Sequence, residues 1–227
     1  MFIKEIILNT GKLKELKEFY GSVLGLPVSS ENENSISIQT INSVLTFIAN
    51  NKEIYKNPFY HFAFNIPNNQ FAQAKSWISE RVKLIESDGE DEFVFESWNA
   101  RAMYFYDPAG NILEFIARYD LDNSSSEKFS AKSILNISEI GMPVPDVEIF
   151  FNEISAEFKI PLFSGDKKSF CAFGDDNGLM IVVPEKRIWY PELNEAGIFP
   201  VTVIIESSVE KEIKFEELPY KIISESR

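Results

Sequence analysis

Asp107-Pro108-Ala109-Gly110-Asn111-Ile112-Leu113-Glu114 is the stretch on which the reading of this chain turns. Asp-Pro and Gly-Asn punctuate a tight turn. Ile112 to Ala117, apolar and partly β-branched, predicts a strand. Glu114 lies inside that strand. A carboxylate among Ile112, Leu113, Phe115 and Ile116 costs free energy unless a partner faces it. His61, the one histidine of the chain, is the candidate partner.

Working outward from this strand, the same order of elements recurs. Phe2 to Asn9 predicts a strand, and Lys12 to Tyr20 a helix with Leu13, Leu16, Phe19 and Tyr20 on one face. Gly25 and Pro27 stop it, and strands follow near Ser35 to Gln39 and Val44 to Ala49. The pattern restarts with a strand at Tyr60 to Ile66 and a helix at Phe71 to Arg81. Strands then follow near Glu92 to Glu96, Ala102 to Tyr106 and Ile112 to Ala117. Residues 1–118 therefore read as one domain of two βαβββ modules, and the polar stretch 119–132 as a linker. Residues 133–227 hold a third module and a degenerate fourth. The third has a strand from Ile137, a helix at Val147 to Phe158, and strands at Ser169 to Phe173 and Leu179 to Val183. Phe199 to Ile205 opens the fourth, and the residues after Ser207 are too few for a complete copy. Internal repetition is the strongest structural signal, and the predicted class is α+β.

Composition narrows the function. The chain has 227 residues, 25% of them charged, with a formal net charge of −13. That balance argues against nucleic acid and anionic membrane surfaces as partners, since both need a basic footprint. The lone Cys171 rules out an internal disulfide, and with one histidine there is no zinc-finger cluster. No secretory signal or bilayer-length apolar run is visible, so the expectation is a cytoplasmic protein. No nucleophile elbow, dinucleotide fingerprint or phosphate loop is present.

The repeated module resembles that of the vicinal oxygen chelate superfamily, which includes glyoxalase I, extradiol dioxygenases and bleomycin-resistance proteins. The resemblance is carried by Phe19-Tyr20-x-x-Val23-Leu24-Gly25-Leu26, Asp107-Pro108-x-Gly110-Asn111-x-x-Glu114 and Met142-Pro143-Val144-Pro145-Asp146. It implies half-open barrels of paired modules, the second pair truncated, in a monomer or homodimer that acts on a small molecule. It also implies a metal held by residues early in each first strand and inside each last strand. Carried onto this chain, those positions are Glu5, His61 and Glu114, with Thr46 at the fourth. In the third module they are Glu139 and either Ile181 or Val182, which would leave that half without metal. Strand alternation places Glu5, Ile7 and Asn9 on one face and His61, Ala63 and Asn65 on another.

The expected chemistry is that of a divalent-metal-dependent enzyme of lyase, isomerase or oxygenase type, acting on a small oxygen-bearing molecule. Glu5, His61 and Glu114 would be ligands, Glu5 and Glu114 would also move protons, and the ion would be Mn, Fe, Zn or Ni. Thr46, Trp98, Arg101 and Tyr104 are candidates for substrate contact. Trp189 and Tyr190 are candidates for a lid or a plug. Asp107, Pro108 and Gly110 are assigned to turn geometry. The alternative function is a metal-free binding or sequestering protein of the bleomycin-resistance type.

Overall fold

A computed structural model describes residues 1–50, 55, 57–191, 194–207 and 209–226. Four modules follow one another. The first comprises β1 (Phe2–Thr10), α1 (Leu13–Lys17, continuing as a wider π turn over Glu18–Val23), β2 (Val28–Asn32), β3 (Ser35–Gln39) and β4 (Val44–Ala49). The second comprises β5 (His61–Ile66), α2 (Phe71–Ser79), β6 (Phe93–Phe95), β7 (Ala100–Tyr106) and β8 (Ile112–Arg118). The third comprises β9 (Asn136–Val144), α3 (Val147–Phe158), β10 (Leu162–Gly165), β11 (Cys171–Asp175) and β12 (Gly178–Pro184). The fourth keeps β13 (Val201–Glu206), β14 (Lys211–Lys214) and β15 (Tyr220–Glu225), with no helix among its described residues. In every module the first strand runs parallel to the last. No described helix is long and apolar enough to cross a membrane.

The helices form where apolar residues share a stripe. Phe71, Ala74 and Ile78 bury one face of α2. Val147, Phe150, Phe151, Ile154 and Phe158 bury that of α3, whose first turn is capped by the Asp146 side chain accepting from the Ile149 amide. These stripes pack on the outer face of the sheet and form the main core with Phe62, Phe64, Leu113 and Phe115.

The Asp107 turn is a hub. Its carboxylate accepts hydrogen bonds from the backbone amides of Ala109 and Asn111 and from the Asn111 side chain. It also accepts one from the Tyr20 hydroxyl at 2.9 Å. Asn111 in turn accepts from the Tyr60 amide, and Gly110 takes φ 86°, a conformation that favours glycine. The two most specific sequence signatures thus touch each other: the Phe19-Tyr20 end of the first helix is pinned to the turn before Glu114.

Strand pairing departs from the expectation that the first two modules close on each other. β1 pairs antiparallel with β13, and β5 pairs antiparallel with β9. Module one therefore forms a cup with module four, and module two with module three. A single contact of register, Ile3 with Ile137, joins the halves into one sheet. Burial explains the choice. Every residue of β5 and of β9 is buried, so both strands need cover on both faces. β1 and β13 alternate buried with half-buried residues, as strands with one open face do. The stretch 119–132 is tied down across the start of α2. Asn68 and Asn69 donate to the carbonyls of Leu121 and Ser125, and Phe129 is buried against Trp77.

Candidate metal centre

The inner face of the module two–three cup is lined by Ala63, Ala100, Ala102, Ile116, Leu179 and Ile181. One transverse row of it holds the polar groups. Tyr104 on β7 lies opposite Glu114 on β8, Glu114 opposite Ala63 on β5, and Ala63 opposite Glu139 on β9. The small side chain between two carboxylates leaves space above it. His61, two residues before Ala63 on the same face, enters that space. One donor atom from each of His61, Glu114 and Glu139 lies within 4.8 Å of the others, and all three residues are buried. His61 Nε2 is 3.6 Å from Glu114 Oε2.

The imidazole is set up as a donor of electrons. Its Nδ1 is 3.2 Å from the Ile112 carbonyl. A carbonyl only accepts, so Nδ1 carries the proton and Nε2 turns its lone pair toward the carboxylates. Burial draws the His61 pKa down to about 4, against a smaller upward pull from that carbonyl, and the ring is neutral at physiological pH. Burial raises the pKa of Glu114 well above its usual range. The Glu139 charge raises it further, while Arg118 and the Tyr104 hydroxyl oppose the shift. Burial likewise raises Glu139, opposed by its ion pair with Arg118.

Arg118, fully buried at the end of β8, donates to Glu139, to the Ser138 hydroxyl at 3.1 Å and to Asp176 at 3.3 Å. It holds the Glu139 carboxylate in place. Sequence reasoning passed over it, although Glu114, Ile116 and Arg118 share a face by alternation and a guanidinium in an apolar strand needs an acid.

The residues fit a divalent cation. A neutral imidazole and two facing carboxylates form an N,O,O set, and the carboxylates repel each other unless a cation or a proton lies between them. Ile181 occupies the remaining family position, on the cup face of β12. A bound ion would therefore keep open positions on that side. Val182 points to the outer core.

A family model of the glyoxalase/bleomycin resistance protein/dioxygenase superfamily matches residues 2–115. The chain belongs to that superfamily. A candidate dioxygenase from Bacillus subtilis subsp. subtilis str. 168 superposes with a TM-score of 0.64 at 13% identity, over 99% of this chain and 85% of that one. A mutant of glyoxalase I from Zea mays superposes with a TM-score of 0.60 at 11% identity, over 99% and 93%. At such identity the likeness concerns the fold alone. No curated protein matches the sequence.

Of the ligand set carried over from the superfamily, the fold brings together His61 and Glu114 but not Glu5. Glu5 lies in the other cup because β1 pairs with β13, and its carboxylate accepts from the Thr46 hydroxyl, which also meets Ser37. Thr46 is therefore remote from the centre too. Glu139, expected to belong to a half without metal, stands where Glu5 was expected. Tyr104 and Trp98, candidates for substrate contact, line the cavity. Arg101 does not. It faces the helix side of β7, paired with Glu92 and stacked over Phe71.

A hairpin covers the cavity. Arg187 and Ala196 pair through their backbones, as do Trp189 and Asn194. Trp189, only 7% exposed, lays its ring 5.0 Å from that of His61. The cavity beneath has a volume of about 80 Å³, walled by Trp98, Tyr104, Phe170, Trp189 and Tyr190.

Proposed function

We propose that this chain is a divalent-metal-dependent enzyme acting on a small oxygen-bearing molecule, with His61, Glu114 and Glu139 as the metal ligands. The supporting observation is the convergence of three donor atoms in one buried cavity, with the His61 lone pair already turned inward. When bound, the ion would polarise substrate oxygens as a Lewis acid. The protein's own groups would do the rest. Arg118 fixes the Glu139 carboxylate. Glu114 would accept or return a proton at a carboxylate oxygen beside the substrate. Trp189 and Tyr190 exclude water. The oxygen-rich donor set suits Mn²⁺ or Fe²⁺, and also accommodates Zn²⁺ or Ni²⁺. Lyase, isomerase and oxygenase chemistry are all open to such a site.

One observation favours a second reading. Arg118 already supplies a positive charge to Glu139, so a protonated Glu114 would let the cavity persist without metal, as a binding or sequestering protein requires.

Loading with Co²⁺ decides between them, because its visible absorption reports coordination directly. The enzyme reading expects one Co²⁺ per chain with a protein-specific spectrum that His61→Ala abolishes. Featureless, aquo-like absorption, or a spectrum unchanged in His61→Ala, would remove the metal role and leave the sequestering function.

A further inference from the structure

One positive charge lining the cavity has no ion-pair partner among the described residues. Arg187, at the base of the covering hairpin, lines the same cavity as His61, Glu114 and Glu139. Its guanidinium lies over the Phe170 ring at 5.1 Å and donates one hydrogen bond, to the Ser169 carbonyl at 3.1 Å. Among the described residues no carboxylate comes within ion-pair distance of it. The acid that acts on it from nearby, Asp166, has turned its oxygens to the amides of Lys168, Ser169 and Phe170 and to the Ser169 hydroxyl. A divalent ion would offset the two carboxylates, and Asp176 offsets Arg118. Arg187 is exposed and has no such offset among the described residues.

The remaining walls specify size and shape. They are aromatic or aliphatic, and about 80 Å³ is available. A cavity of about 150 Å³ is the scale that admits a benzene ring, so the ligand here is a small one.

We propose that the ligand of this cavity is a short carboxylate carrying an oxygen on the adjacent carbon, a 2-oxo or 2-hydroxy acid of about three carbons at most, and that Arg187 selects it by pairing with the carboxylate. The adjacent oxygen is then directed to the His61–Glu114–Glu139 end. A guanidinium with several free N–H groups suits a planar carboxylate, which it engages through two parallel hydrogen bonds. The net charge of −13 would disfavour an anion at long range, so discrimination depends on this local group. The substrate class rests on the metal-site reading above, whereas the selection of an anion by Arg187 does not.

The test measures binding of pyruvate, lactate and glyoxylate against hydroxyacetone, a neutral counterpart of pyruvate. Calorimetry would be run on the wild-type protein, R187Q and R187K, each with and without Mn²⁺, alongside metal content. The expected result is binding of at least one acid that R187Q weakens about tenfold or more, that R187K partly restores, and that leaves hydroxyacetone and bound Mn²⁺ unchanged. Equal acid binding by wild type and R187Q, equal affinity of wild type for pyruvate and hydroxyacetone, or no binding of any acid would overturn the proposal. Absence of bound Mn²⁺ would instead overturn the metal reading, and the ratio of wild type to R187Q without metal would still judge Arg187.

Discussion

His61 is the residue on which the chemistry turns, and being the one histidine of the chain it can be watched alone. Its nitrogen resonances in the metal-free protein should show a neutral ring protonated at Nδ1 and titrating near pH 4. The sign of the linked stability follows. The unfolded ring has its ordinary pKa of about 6.5, so above that pH its neutral burial contributes fully. The contribution falls as pH drops from about 6.5 through about 4, by about 3 kcal/mol at most. A ring titrating near 6.5, or protonated at Nε2, would show that the imidazole is not held as described. His61 and Glu114 were legible in the sequence because they belong to one module and one alternating face. Glu139 stood at a matching position, but nothing local in it says that β9 is the neighbour of β5. Arg118 was passed over because the expected strand stopped at Ala117 and its partner acid, Glu139, lies on a later segment.

At the scale of elements, the modules, α3 and the Asp107 turn could be read from periodicity and turn chemistry, because those are properties of a few adjacent residues. The pairing of first strands could not be read that way, since it is decided between segments far apart. Its trace in sequence was the contrast between β1, whose Lys4, Glu5 and Asn9 are only half-buried, and β9, whose Ser138, Gly141 and Pro143 suit a strand crowded on both faces. The covering hairpin depends on the same crowding. A Cβ at Gly141 would lie 2.6 Å from Cη2 of Trp189, and the neighbouring backbone oxygen of His61 is 3.2 Å away. Gly141→Ala should therefore push the indole out of the cup. The expected result is red-shifted tryptophan emission and a stability loss of about 1–3 kcal/mol, the usual cost of overpacking. Wild-type emission and melting would mean that Trp189 does not seat on β9.

At the scale of the whole molecule, four modules make two unlike cups in one sheet. The cup of modules two and three is filled, covered by a hairpin and supplied with buried acids, an imidazole and a guanidinium. The cup of modules one and four keeps a half-exposed inner face where Glu5 bonds Thr46. Resemblance to the superfamily could indicate which positions carry ligands. It could not indicate which modules meet, and the identity of the third ligand depends on that. The most direct measurement is a Mn²⁺ titration followed by electron paramagnetic resonance on the wild type, Glu139→Gln and Glu5→Gln. The account predicts one bound Mn²⁺ in the wild type, the same affinity in Glu5→Gln, and a loss of about tenfold or more in Glu139→Gln. Retention by Glu139→Gln together with loss in Glu5→Gln would contradict it.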